Sequence, residues 1–537
     1  MVSTTGLEPS EPGGLLGERL RDAAKRTPAM PLIYASSSGV RQCTLGDVIE
    51  EGTRAASGLA QLGLRRGDAV VAQVPNWPEG GALLYASLLL GLRIVPVIHI
   101  YGSTELTEIV RQTGAKAYVA PAQWRRIDFG ERSSAVGRCG TIEHIISIGG
   151  QADFADVAWD RLTDGASPPQ LAAAQNPLDV CLVSFTSGTT SRPKGAQHTH
   201  LSLLKEVTLR GNTLGDRGKA SFLGAQPAGH MAGLLGFVRP VLAGARRAAF
   251  LDAWDSALAL ELIDRYDITS TVGPPFYLAT LLQEVAHAGR TRLRVDDWMT
   301  GGERVPADLV EEADAVGIAA YRCYGSTEHP TVSSSRPTDT LQRRAHTDGI
   351  LMPGVRVRVV DDDGQEVDTG EEGEILTWGP DLFAGYLDKA QSAEAFTGDG
   401  FYRTGDVGHL SAEGVLTITD RKKDIIIRGG ENISSREVED ILLRHPDVKD
   451  AAVVAIPDRL YGERVCAFLI PKGGAELSLE SVRGHFARAG VAKQKTPERL
   501  EIVEDFPRTL VGKIRKGELR AHAATLASDS VSRADLA

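Results

Sequence analysis

From Leu45 to Ala120 the chain alternates helix-like and strand-like runs, and no other feature restricts its fold as much. Leu45 to Leu62 has helical spacing and is ended by Gly63. Asp68-Ala-Val-Val-Ala-Gln-Val74 then reads as a strand running into Pro75-Asn76. Gly80 to Leu92 reads as a helix, Ile94 to Ile98 as a strand, Thr104 to Gly114 as a helix and Ala117-Tyr-Val-Ala120 as a strand. Strands joined through helices lie side by side in parallel, which makes an α/β domain. The pattern returns with a helix at Ala257 to Tyr266, a strand at Ser270-Thr-Val272 and a helix at Pro275 to Ala288. An earlier helix of mixed charge is expected at Leu15 to Lys25. Val180-Cys-Leu-Val183 has the continuous apolar character of a buried strand.

From about Gly354 the texture changes. Val355 to Val360 alternates, Asp361-Asp-Asp-Gly364 turns, and Glu374 to Thr377 and Val415 to Thr419 follow as further hairpin-type segments. Past the charged patch Arg421-Lys-Lys-Asp424 lies a compact α+β module: helix Ser435 to Leu443, strands Asp450 to Ile456 and Arg464 to Pro471, helix Leu479 to Ala489. A chain of 537 residues exceeds one ordinary core. The expectation is therefore a large N-terminal domain over 1–420, with parallel or mixed sheets flanked by helices and a β subdomain. A hinge at 421–423, a small mobile α+β domain over 424–525 and a disordered tail over 526–537 complete it.

A formal net charge of -11 argues against a nucleic-acid partner, and it means that any anionic ligand must be held by local groups. Cys43, Cys139, Cys181, Cys323 and Cys466 are scattered, with no CxxC spacing, which suits a reducing compartment and offers no zinc or disulfide framework. The polar stretch Met1 to Gly14 lacks the basic start of a secretory signal. The uncharged apolar run Gly80 to Leu92 is too short to span a bilayer. A cytoplasmic protein without a transmembrane segment is expected.

The chemistry concentrates in Val183-Ser-Phe-Thr-Ser-Gly-Thr-Thr-Ser-Arg-Pro-Lys-Gly-Ala196. Small and hydroxylated residues, Thr186 to Ser191, let backbone N–H groups converge on an anion, and Lys194 adds a point charge suited to phosphate. The kinase and GTPase P-loop, Gly-x4-Gly-Lys-Ser/Thr, does not fit here. Such composition also suits a flexible linker. The order Thr-Ser-Gly-Thr-Thr-x-x-Pro-Lys-Gly, however, resembles the phosphate loop of the acyl- and aryl-adenylating enzymes: acyl-CoA synthetases, peptide-synthetase adenylation domains and beetle luciferases.

That resemblance recurs in order from about Leu45 to Leu519. Tyr324-Gly-Ser-Thr-Glu328 looks like the family's adenine and magnesium motif, and Gly301-Gly-Glu303 like the segment flanking the adenine. Tyr402-Arg-Thr-Gly-Asp406 is similar to the ribose motif. Asp420-Arg421 and Arg428-Gly-Gly-Glu-Asn432 are similar to the hinge and its following loop. Pro507-Arg-Thr-Leu-Val-Gly-Lys513 is similar to the catalytic lysine motif, and Gln226-Pro-Ala-Gly-His-Met231 to the acyl-site motif.

The resemblance implies roles. Thr186, Ser187, Gly188, Thr189, Thr190 and Lys194 would hold the β- and γ-phosphates of ATP. Tyr324 would stack on the purine, with Gly302, Glu303 and Gly325 beside it. Thr327 would bond a phosphate oxygen. Glu328 would carry Mg²⁺, an ion usually held by one or two carboxylates plus substrate phosphates. Asp406 and Arg421 would hold the ribose, His230 would gate the acid, and Lys513 would assist adenylation. Lys423 would be the hinge, and Gly429 and Gly430 would line the pantetheine tunnel, where glycine permits close backbone approach.

The implied reaction has two half-reactions: a carboxylate attacks the α-phosphorus of ATP, and a thiol then attacks the acyl-AMP. The resemblance is greatest to free-standing acyl-CoA synthetases, so CoA is the expected thiol. A carrier-protein phosphopantetheine, as used by acyl- or aryl-AMP ligases, stays open. A non-catalytic nucleotide-binding regulator is disfavoured by Lys513. The segments expected to line the acid, Gly229 to Val238 and Ala319 to Ser326, mix glycine with Leu234, Leu235 and Phe237 and hold no carboxylate. They point to an apolar acid, whether medium-chain, cyclic, aryl or steroid-derived, and away from an amino acid. The partners are thus a small carboxylic acid, ATP and CoA, and a homodimer is compatible with the reading.

Overall fold

A computed structural model describes residues 14–164, 175–186, 193–214, 220–428, 431–458, 461–489, 493–508 and 513–534. The chain divides into two compact units, Met1–Arg356 with Thr377–Tyr402, and Val357–Leu376 with Arg403–Ala537. The boundary expected near Asp420 lies inside the second unit, because the strands Tyr402–Leu410 and Leu416–Arg421 form a hairpin and are counted together.

In the first unit the expected alternation becomes two sheets. Among the described residues one has seven strands and the other nine. In the seven-stranded sheet Ala69–Ala72 pairs in parallel with Arg93–Pro96 on one side and Ala117–Pro121 on the other. The helices between them form for local reasons. Leu45–Gln61 is opened by a reciprocal cap, in which Thr44 accepts from the Asp47 amide and Asp47 from the Thr44 amide. It buries Leu45, Val48, Ile49, Gly52, Ala55, Ala56 and Leu59 on one stripe. Gly52 lies against the next helix, where a Cβ would come within 2.7 Å of the Ala82 carbonyl.

That next helix runs Pro78–Leu90, two residues earlier than the spacing suggests. Proline lacks an N–H and so suits the first turn, and Gly91 closes the other end in the left-handed region at φ 69°. The nine-stranded sheet carries Pro31–Ser36, Arg247–Leu251, Ser221–Gly224, Ser270–Gly273, Val295–Thr300 and Ile318–Tyr324 as a parallel succession. In such sheets ligands gather outside the carboxyl ends of the strands.

Among the described residues the second unit holds a four-stranded and a five-stranded sheet, the latter built on the long antiparallel pair Val448–Asp458 and Gly462–Pro471. Helices Ser435–Leu443 and Leu479–Ala489 fall where the sequence puts them. The last helix, Lys516–Ala534, reaches into the stretch 526–537 expected to be a disordered tail, consistent with the helix preference of its alanines; 535–537 lie outside the described residues. No helix among the described residues is long and apolar enough to cross a membrane, and the five cysteines are free thiols.

Candidate active site

The carboxyl ends of two neighbouring parallel strands define the site of the first unit. Ile318–Tyr324 ends in a loop closed on itself. The Ser326 amide donates to the His329 carbonyl at 2.9 Å, and Ser326 Oγ accepts from the Glu328 and His329 amides at 3.2 and 3.1 Å. Gly325 is required here, since a Cβ would fall 2.1 Å from the Pro330 carbonyl oxygen. Beside it, Val295–Thr300 ends in Gly301-Gly302. A Cβ on Gly301 would strike the Cys323 sulfur at 2.6 Å, and Gly302 turns the chain with φ 83° toward Glu303. Tyr324, Gly325, Thr327 and Glu328 thus share one loop beside Gly302.

Glu328 is 7% exposed, and Tyr386 donates its hydroxyl to Glu328 Oε1 at 2.6 Å. Tyr402 lies 3.4 Å from the same hydroxyl. Burial, and then the Glu328 charge, push the Tyr386 phenol above its ordinary range, so it stays a donor. The following His329 is buried between Thr377 Oγ1 at 3.0 Å and Asp381 Oδ1 at 3.1 Å.

The expected phosphate loop connects two antiparallel strands, Val180–Thr186 and Lys194–Thr199, and Thr186 stands directly opposite Lys194. Ser187, Gly188, Thr189 and Thr190 lie outside the described residues. Lys194 Nζ sits 5.4 Å from the centre of the Tyr386 ring. From the same strand His198 donates Nε2–H to the Thr327 carbonyl at 2.8 Å. Burial holds this imidazole down at about 4, so it is neutral and its tautomer is set by that bond. The strand Lys194–Thr199 that follows the expected phosphate loop is therefore fastened to the Tyr324–Glu328 loop.

His230 precedes the helix Met231–Ala243. The turn before it is held by Asn76, whose Nδ2 donates to the Gln226 carbonyl at 2.9 Å and whose Oδ1 accepts from the Ala228 amide at 2.8 Å. Gly229 presses on the backbone at Val97 and Ile98. One face of the helix borders a cavity of about 480 Å³, lined by Arg239, Pro240 and Ala243, by Val207 and Arg210, and by Phe222, Val272, Asp297 and Met299 of the nine-stranded sheet. Gly236 belongs to the same face: it is buried, yet a Cβ there would find nothing within 4 Å. Leu234 and Phe237, expected to line the acid's pocket, face a separate small cavity with Tyr34 and Trp77, and Leu235 is in the core.

In the second unit Asp406 and Arg421 are directly opposed across a hairpin, and Arg421 Nε donates to Asp406 Oδ1 at 2.5 Å. Asp406 is 4% exposed, while the arginine is half-exposed. Lys423 sits in the short turn Lys422–Asp424, where Arg520 donates to the Lys423 carbonyl at 2.9 Å and to Asp424 at 2.6 Å. Gly429 and Gly430 lie outside the described residues. Lys513 is exposed and adjoins Ile514, which bridges back to Arg508.

Residues 20–387 match the AMP-binding enzyme family, and residues 437–513 match the C-terminal domain of AMP-binding enzymes. The chain belongs to the AMP-binding enzymes. It is 35% identical over 474 residues to the medium-chain fatty-acid–CoA ligase of Escherichia coli K12, covering 87% of this chain and 83% of that one. It is 31% identical over 519 residues to the 2,3-dihydroxybenzoate-AMP ligase of Bacillus subtilis, covering 95% and 93%. Among solved structures, ATP-bound MatB from Rhodopseudomonas palustris superimposes with a TM-score of 0.83 at 26% identity, over 94% of this chain and 98% of that one. This AMP-binding enzyme is an adenylate-forming ligase whose large α/β domain and smaller C-terminal domain follow that architecture.

Among the described residues of this AMP-binding enzyme, no three His, Cys, Asp or Glu gather as a metal site. Glu328, a lone buried carboxylate with its Oε1 already bonded, suits an ion that draws its other ligands from phosphates and water. Sequence reasoning overlooked Tyr386, His198, Asn76 and the cavity residues Arg210 and Asp297. None has a motif of its own: Tyr386 meets Glu328 from 58 positions away. Only the position of Asn76, just after a strand, carried a signal.

Proposed function

We propose that this AMP-binding enzyme joins a carboxylic acid to CoA through an acyl-adenylate. A carboxylate oxygen attacks the α-phosphorus of ATP; the bond to the β-phosphate bridge breaks, and pyrophosphate leaves with the electron pair. A thiolate then attacks the acyl carbon, AMP departs, and the thiol proton goes to solvent. The first nucleophile is already an anion, so positioning and charge stabilisation do the work without a general base.

The observation that carries the reading is that one strand, Val295–Thr300, joins the expected nucleotide loops to the cavity. It ends in Gly301-Gly302 beside the Tyr324–Glu328 loop and lines the cavity with Met299 and Asp297. Tyr324 stacks on adenine, flanked by Gly302, Glu303 and Gly325. Asp406 and Arg421 hold the ribose. Thr186 to Lys194 and Thr327 bind phosphate oxygens, and His230 borders the acid. Glu328 would hold Mg²⁺, which when bound neutralises phosphate charge. Lys513 acts in the first half-reaction, Lys423 is the hinge between the two, and Gly429 and Gly430 border the thiol's path.

CoA as acceptor is supported by the E. coli relative, which is named for that product. The B. subtilis relative, named only for the AMP adduct, favours a second reading in which the acyl group passes to a carrier protein. Pyrophosphate release across an acid panel, with and without CoA and with mass spectrometry of the products, decides. Pyrophosphate and AMP with an acyl-CoA thioester are expected. ADP formation would defeat the adenylation reading. Acyl-AMP that persists with CoA but is consumed by a carrier protein would establish the second reading.

A further inference from the structure

Charge is spread unevenly around the cavity beside the helix Met231–Ala243. Among the described residues five cationic side chains line it, Arg19, Arg26, Lys205, Arg210 and Arg239, against one carboxylate, Asp297. Two of the five sit deep in clusters with buried carboxylates. Arg210 donates to Ser334 Oγ at 3.2 Å and to the Tyr321 hydroxyl; Tyr321 donates to Asp297, and Ser270 Oγ donates to the second Asp297 oxygen at 2.8 Å. Arg239 is paired with Glu206, and Thr331 bridges the two. Arg19, Arg26 and Lys205 come on top of these clusters. Arg19 and Arg26 are exposed, so the cavity opens on solvent beside them, and they stand two turns apart on the helix Leu16–Arg26. Lys205 comes from the helix His200–Leu214. The acidic residues of the first helix are engaged elsewhere: Glu18 accepts from the Leu15 amide at 3.3 Å, and Asp22 pairs with Lys25 at 3.6 Å. In a chain with a formal net charge of -11, such a basic rim is a local feature.

The rim lies at the end of the sheet opposite the nucleotide loops. Ala220 precedes the strand Ser221–Gly224, Ser270 begins the strand Ser270–Gly273, and Leu242 and Ala243 close the helix Met231–Ala243; all four line the cavity. From His230 to Ala243 that helix rises about 20 Å at ~1.5 Å per residue. Gly236, midway, is buried and opens on empty space. The wall between is apolar, with Val207, Phe222, Val272 and Met299. Asp297 lies four residues before Gly301, about 13 Å down its strand at ~3.3 Å per residue.

These depths decide what an acid would meet. With its carboxylate at the nucleotide loops, its chain would run between helix and sheet against the apolar wall, where burial is favourable. A chain long enough to cover the helix would bring its far end to the rim. An anionic group there would face Arg19, Arg26 and Lys205 while still half in water, and so would escape the cost of a fully buried charge. A shorter chain would end beside Asp297, where a second carboxylate would be repelled by like charge.

We infer that the acid this cavity selects is a long dianion, with its reacting carboxylate at the nucleotide loops and a second carboxylate at the rim of Arg19, Arg26 and Lys205. The inference rests on the adenylation reading and narrows its substrate class. The test is pyrophosphate release by the full chain with octanoate, dodecanoate and hexadecanoate, each beside its α,ω-dicarboxylate and the monomethyl ester of that diacid. Hexadecanedioate should exceed both hexadecanoate and the ester in kcat/KM by about fivefold, as several exposed ion pairs together supply, beyond the factor due to its two equivalent ends. The gain should lie in KM, because the rim contact is the same in the ground and transition states, and added salt should erode it. Octanedioate should gain nothing over octanoate. The double variant Arg19→Gln, Arg26→Gln should remove most of the hexadecanedioate advantage and leave turnover of hexadecanoate unchanged. Absence of that advantage, an advantage confined to the shorter diacids or shared by the esters, or one that salt and the double variant leave intact, overturns the inference while leaving adenylation standing. So does a double variant that loses cosedimentation with phosphatidylglycerol vesicles but keeps the dicarboxylate preference, since the rim then serves a lipid surface. A panel in which no acid releases pyrophosphate overturns the adenylation reading, and this inference with it.

Discussion

Glu328 in the first unit and Asp406 in the second are both nearly buried carboxylates at expected nucleotide-binding positions, yet they are held in opposite ways. Glu328 depends on distant chain: Tyr386 reaches its side chain, Phe383 donates to its carbonyl, and His198 fixes the preceding Thr327. Asp406 depends on its own hairpin, with Thr404 Oγ1 bonded to its amide and Arg421 facing it from 15 residues on. The first arrangement is an interior assembled from several crossovers, costly to disturb and poor at moving. The second is local and half in water, and its geometry survives as long as the hairpin does. Exposed Lys513 belongs with the second kind.

The sharpest way to exploit this contrast is Lys513→Ala. If the ammonium stabilises charge developing at the α-phosphorus, adenylation should fall ~10²- to 10³-fold, or roughly 3–4 kcal/mol. ATP binding, thermal stability and the thioester-forming step from synthetic acyl-AMP should stay near wild type. Rates of both half-reactions within about twofold of wild type would place Lys513 among ordinary surface lysines.

Next in size is His329→Ala, which should do the reverse. It leaves Asp381 and Thr377 without their buried partner, and Asp381 Oδ2 already has none among the described residues. A loss of roughly 2–3 kcal/mol in urea unfolding is expected, and an unchanged midpoint would contradict the view of this region as an interlocked interior.

Acid should find the same weakness. His198 is neutral when folded and held at about 4, so below its unfolded value of about 6.5 the unfolded state binds the extra proton. The stability it contributes is present above pH ~6.5 and is lost as the pH falls toward 4, with about 2 kcal/mol gone by pH 5. Urea unfolding at pH 7 and pH 5 should therefore diverge less in His198→Asn than in wild type.

The smallest stability effect belongs to the second unit. Arg421→Lys should change unfolding by less than ~1 kcal/mol, because a half-exposed pair is weak, and should instead raise the KM for ATP. A large loss of stability here would erase the distinction between the two carboxylates.

Much of this was legible without coordinates. The strand–helix alternation, the capped helix starting at Leu45, the helices Ser435–Leu443 and Leu479–Ala489, and the order of the motifs all follow from local rules: periodicity, capping, and the small residues needed where backbone approaches a ligand. The position of Asp406 beside Arg421 could be anticipated for the same reason, since a hairpin brings near neighbours together. Tertiary structure alone decided the rest. Which tyrosine meets Glu328, which histidine fastens the strand Lys194–Thr199 to Thr327, and which helix face opens on the cavity depend on crossovers tens of residues long. The two arginine–carboxylate clusters of the cavity wall lie on the helices and strands of a sheet whose neighbours in space are not neighbours in sequence. Local propensity carries no information about such pairings, because burial and the matching of buried charge are settled only when the sheet's order and register are complete.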